Sequence, residues 1–136
     1  MINLTTGIYS KFTGSALATA IGGRLYKAYA PQRAQFPYAT YDIITDIPEY
    51  PGGKTIEQVL VQFDLYSSAS GSTEVEGMLT KLRTLYDDCT LTLTGNTGIY
   101  FKRENLITMR EEVVTVNGTV GVWHYAQEYD TWMVAD

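Results

Sequence analysis

The sequence is poor in the residues that most often do chemistry. Its 136 residues hold one cysteine, Cys89, and one histidine, His124. A single cysteine cannot close an internal disulfide, so the fold needs no oxidising compartment and a cytosolic setting is expected. Bases are also few: ten Lys and Arg stand against fifteen Asp and Glu, a formal charge of -5. They are scattered, with no run beyond Lys102-Arg103. A net acidic chain without clustered cations is poorly suited to gripping nucleic-acid phosphates. No apolar run approaches the roughly 20 residues that span a bilayer. The stretch SALATAIGG, residues 15–23, lacks the basic leading region and strong apolar core of a signal peptide.

The abundant residue is tyrosine, with 11 copies. The chain carries no repeat, low-complexity tract or linker, so residues 1–136 read as a single domain. Leu4, Ile8, Tyr9 and Phe12 recur at helical spacing, and Ser15 can cap a second short helix that Gly22-Gly23 stops. RLYKAYAP alternates as a short strand or extended arm ending at Pro31. In FPYATYDIIT, Pro37 suits the first position of a strand, where a missing N–H is tolerated. DIPEYPGGK, 46–54, packs two prolines and two glycines into nine residues and reads as a loop. The clearest strand follows, with Val59, Val61, Phe63 and Leu65 on one face and Gln58, Leu60, Gln62, Asp64 and Tyr66 on the other. The clearest helix begins after Ser72 or Thr73, with an apolar stripe of Val75, Met78, Leu79, Leu82, Leu85 and Tyr86. Three strands close the chain: CTLTLT, a bent or bulged run from Gly98 to Val116, and a run from Thr119 to Val134. Asn117-Gly118 between the last two signals a tight hairpin.

This order predicts an α+β fold. It has a single antiparallel, mostly meander sheet, one amphipathic helix on one face, and a short helical N-terminal segment. One long hairpin precedes the helix and one follows it. The face left open should be amphipathic, carrying part of a set formed by Tyr38, Tyr41, Tyr66, Tyr100, Tyr125 and Tyr129.

No constellation supports catalysis or a metal. His124 has no sequence partner at a hydrolase or metal-site spacing and reads as a half-buried strand residue. Cys89 follows Asp87-Asp88, which would raise its pKa, so it reads as a small buried filler. The pairs Asp87-Asp88 and Glu111-Glu112 read as solvated charge. GGR at 22–24 and GGK at 52–54 fit no phosphate-loop pattern and read as turns.

Three pieces carry a family resemblance: GGRLY ahead of P…FPY, the strand EQVLVQFDLYSS, and the helix TEVEGMLTKLRTLYDD. From about Leu17 to Trp132 the chain resembles the small tail-completion proteins of long-tailed bacteriophages and prophages, also called tail-terminator or head-to-tail joining proteins. The resemblance implies a structural, non-enzymatic role. Such subunits form a ring, commonly a hexamer, that caps the finished tail tube, stops its growth and meets the head connector. The implied partners are further copies of the chain, the tail tube protein and the neck proteins. No cofactor, membrane or specific nucleic-acid contact is implied. The implied location is the tail–neck region of the virion, after assembly in the host cytoplasm. Alternatives are a head-closure or minor capsid neck protein, and a small-ligand-binding α+β cone domain with Trp123, His124 and Tyr125 in its pocket. The expected interface is the protruding 46–54 loop, with Asp46, Glu49, Tyr50 and Lys54.

Overall fold

The computed structural model describes residues 2–31, 34–49, 52, 56–93, 96–115 and 118–135. Helices α1 (Ile2–Phe12) and α2 (Ala16–Ala20) lead to strands β1 (Leu25–Lys27), β2 (Tyr38–Glu49) and β3 (Ile56–Ser67). Helix α3 (Thr73–Tyr86) follows, then β4 (Thr90–Leu93), β5 (Asn96–Thr115) and β6 (Gly118–Ala135). The strands form one sheet in the order β1-β2-β3-β6-β5-β4. Both expected hairpins are present, β2–β3 and β5–β6, and they join through antiparallel β3 and β6 at the centre.

The sheet is mixed, which corrects the expectation of a purely antiparallel one. β1 runs parallel to β2, pairing Leu25 with Ala39 and Lys27 with Tyr41. The connection after β1 carries the chain back to the same end before β2 starts, and a return of that kind yields a parallel pair. A second correction concerns the loop read from Asp46. β2 continues through Pro48 to Glu49, paired with β3 down to Ile56. β1 covers only Ala39–Tyr41, so the far half of β2 is a sheet edge, where proline is admitted. Pro37 lies one residue ahead of β2, after a cis Phe36–Pro37 bond, and its carbonyl accepts from Arg24 Nε at 3.0 Å.

The helices cover one face. Val59, Val61, Phe63 and Leu65 of β3 are fully buried there, with Val75, Met78, Leu82 and Tyr86 of α3. The core centre is aromatic: Phe63 stacks on Tyr86 at 4.6 Å, and Phe101 and Tyr129 close around them. Buried phenols need acceptors. Tyr86 donates to the Ile8 carbonyl at 2.8 Å, tying α1 to α3, and Tyr129 donates to Asp87 at 2.6 Å.

Caps follow the sequence in part. Ser15 accepts from the Ala18 N–H at the start of α2, and Gly22 and Gly23 leave the helix with φ of 60° and 74°. Ser72 is the N-cap of α3 but its side chain makes no capping bond. Glu74 in the first turn instead accepts from Ser67 Oγ at 2.7 Å, fastening the helix start to the end of β3.

Candidate functional site

The face opposite the helices has no covering layer among the described residues. A row of rings crosses it perpendicular to the strands. Tyr26 of β1 meets Tyr38 of β2 edge-on at 6.1 Å, Tyr38 stacks on Tyr66 of β3 at 4.8 Å, and Tyr66 stacks on His124 of β6 at 4.3 Å. Register produces the row, since Tyr38 pairs with Tyr66 and Tyr66 with His124. Tyr41, Tyr125 and Tyr129 alternate to the helix side and are buried. The tyrosines thus divide between core and open face by strand parity.

His124 ends the row between two carboxylates. Its Nε2 lies 2.7 Å from Asp64 Oδ1 and its Nδ1 3.0 Å from Glu111 Oε1, with the imidazole only 13% exposed. Carboxylates accept and do not donate, so satisfying both contacts requires an N–H on each ring nitrogen: the imidazolium. Burial by itself would lower this pKa. The hydrogen bonds to Asp64 and Glu111, with their charges, outweigh it and raise the pKa above its ordinary value. The same two charges, with burial foremost, push the Tyr66 phenol far up, so the ring beside the cation stays neutral. A neutral aromatic face against a cation is favourable.

This cluster sits at the base of a projection. β3 ends at Ser67, opposite Trp123. Beyond that pair, β5 and β6 continue alone from Glu111↔Val122 to Thr115↔Gly118, a two-stranded ribbon five pairs long. The ribbon base is held on both faces. On the open face, His124 joins Glu111 of the ribbon to Asp64 of β3. On the helix face, the Arg110 guanidinium lies 4.6 Å from the Trp123 ring centroid. Gly121 makes room for it: a Cβ there would stand 2.7 Å from Arg110 Nη2.

A second feature is a groove of about 500 Å³ between α1 and the β1 border, lined by Tyr9, Tyr26, Lys27, Tyr29, Pro31 and Tyr41. Tyr29 is 80% exposed. His124 is not part of its lining.

The expected interface residues Asp46 and Glu49 are exposed at the far end of β2. Tyr50 and Lys54 lie outside the described residues, as do residues 116 and 117 of the expected hairpin turn. Thr115 pairs with Gly118, so Gly118 belongs to the ladder instead of the turn centre. His124 is a half-buried strand residue, as read from the sequence, but the sequence reading missed its partners. Asp64 and Glu111 arrive diagonally from two other strands, and no local spacing announces them. The Asn-Gly signal was the usable clue, because a hairpin there brings residue 111 close to residue 124. Glu111 is therefore an engaged acid, although its side chain keeps 41% exposure to solvent. Asp87 and Asp88 are engaged too, accepting from Tyr129 and Tyr100. Burial, with these aspartates contributing, pushes the half-buried Cys89 thiol up to about 11, so it behaves as the expected inert filler. The ligand-pocket reading required a cavity containing His124. Its ring is instead stacked on one side and bonded at both nitrogens. Among the described residues no group of three or more His, Cys, Asp or Glu is placed to hold a metal ion, and no helix is long and apolar enough to cross a membrane.

Comparison with known proteins adds two findings. A family model described as tail completion protein gp17 matches residues 7–130. A chain in the solved virion of a native gene transfer agent particle superposes with a TM-score of 0.55 at 14% identity, covering 94% of this chain and 95% of that one. At that identity the likeness is one of fold. No curated protein matches by sequence.

Proposed function

The chain belongs to the tail completion protein gp17 family of structural phage virion proteins, and on that footing we propose that it is the ring subunit that caps the tail tube and joins tail to head. The observation that carries the reading is the family match, which runs through every element from α1 into β6. In this reading residues 1–136 act as one domain, commonly in a ring of six copies. The ring stops tube growth with one surface and meets the neck proteins with the other. It works without cofactor or catalysis, in the tail–neck region of the virion, after assembly in the host cytoplasm.

Physical features support a ring. Closure requires a heterologous interface, with two different surfaces of one subunit meeting on neighbouring copies. The sheet has two different borders: β2 past Tyr41, where β1 stops, and β5 past Phe101, where pairing with β4 and its flank stops. Asp46 and Glu49 on the first border, together with Tyr50 and Lys54, are our interface candidates. The net charge of -5 suits a part beside a DNA channel, since like charge lets the duplex pass without being gripped. Deleting the gene in its phage or prophage and imaging the lysate tests the reading. Free heads beside unjoined or overlong tails are expected. Normal virions with tails of correct length would contradict it.

A further inference from the structure

We propose that the β5–β6 ribbon of one copy docks in the tyrosine groove of a second copy of this chain. The inference rests on the ring reading and names the contact that closes it. The ribbon extends about 15 Å past the sheet body at the usual strand rise. A two-stranded ribbon alone is marginally stable in water. This one nevertheless presents Val114 with 83% exposure. It is also aimed, because the Arg110–Trp123 and Asp64–His124–Glu111 contacts hold its base from both faces. A projecting, aimed apolar tip is arranged for a partner.

The groove matches it in chemistry. Val114 and Tyr29 are the two most exposed large apolar side chains among the described residues, at 83% and 80%. The groove volume of about 500 Å³ and its tyrosine walls suit an apolar tip held by rings with polar rims. Charge is complementary. The first 41 residues carry Lys11, Arg24, Lys27 and Arg33 and no acid, whereas residues 111–122 carry Glu111 and Glu112 and no base. Exposed Lys27 lies on the groove wall, and exposed Glu112 stands two residues from Val114 on the same strand face. That face is the helix side, because the ladder runs unbroken from Arg110↔Trp123 to Val114↔Thr119. The groove lies at the β1 border, where its lining residues Leu25, Lys27 and Tyr41 share that side by register. Along the strands, Lys27 aligns through Tyr41 and Phe63 with Gln127, eight residues short of Thr119, the partner of Val114, so the tip projects about 26 Å beyond the level of Lys27. Across the sheet, β1 forms one border and β5 lies next to the other. A neighbouring copy shifted by that length along the strands receives the ribbon in its groove, a heterologous contact of the kind that closes rings.

The test is sedimentation of the full chain, alone and on purified tail tubes, with oxidative cross-linking as a second readout. Val114→Glu and Lys27→Glu should each raise the concentration for half-assembly by at least about tenfold. Joining Lys27→Glu with Glu112→Lys should restore assembly to within about threefold of wild type. A mixture of Val114→Cys and Tyr29→Cys chains should form a disulfide between copies, which neither chain forms alone. If the wild type closes a ring while Val114→Glu assembles normally, the charge swap rescues nothing, or the cysteine mixture stays unlinked, this contact is overturned and the ring reading stands. If the wild type forms no closed assembly alone or on tubes, the ring reading fails and takes the contact with it.

Discussion

His124 shows how much one residue's role depends on partners far away in sequence. Its imidazolium joins Asp64 and Glu111, and Tyr66 covers its face. Replacing it with Gln leaves two carboxylates facing each other across a gap with one amide between them. We expect His124→Gln to destabilise the fold by about 1–3 kcal/mol at pH 6, measured by urea unfolding. The pH dependence has a definite sign. The folded-state pKa is raised, so the stabilisation is complete below the unfolded value of about 6.5 and is lost as pH rises through the folded value. The stability difference between wild type and His124→Gln should therefore shrink from pH 6 upward. A difference constant from pH 6 to 9 would show that the proton is not what holds the cluster. The sequence revealed the burial of His124 because its strand alternates. It hid the partners because cross-strand diagonals depend on register, which three separate strands set together.

At the scale of elements, Gln127 explains how the long fifth strand bends. The β5 register shifts between Arg103 and Leu106, which leaves the carbonyls of Glu104 and Asn105 out of the ladder. The fully buried Gln127 donates to both, at 3.2 and 3.1 Å, while its own oxygen accepts from Arg83 of α3 at 2.9 Å. One side chain thus serves the bulge and the helix. Gln127→Leu keeps the volume and removes these bonds, so we expect a loss of about 1–3 kcal/mol in chemical denaturation. An unchanged midpoint would mean that water serves the bulge equally well. The bend in β5 was legible from its length, and so were both hairpins and the apolar face of α3. The strand nature of 46–49 was not. Pro48 punctuates a sequence as a loop does, and only its place on a sheet edge makes it compatible with a strand. The parallel β1 was equally hidden, because three residues carry no directional signal.

For the whole molecule, what matters is how copies meet one another and the tail. The sequence pointed to the family through local order, GGRLY to FPY and then strand to helix, and the family match over residues 7–130 agrees. It did not point to the ribbon or the groove, because both exist only where some strands outlast their neighbours. In the segment that follows β2 in sequence, Tyr50→Ala with Lys54→Ala should lower capping of purified tubes by at least about tenfold without shifting the melting temperature. Unchanged capping would remove those two residues from the interface. The most direct measurement of the central claim is electron microscopy of the purified chain mixed with purified tail tubes. A closed ring seated on one end of each tube, with no further tube growth, is the expected image. Bare tube ends beside unassembled protein would contradict the assignment as a tail-capping ring.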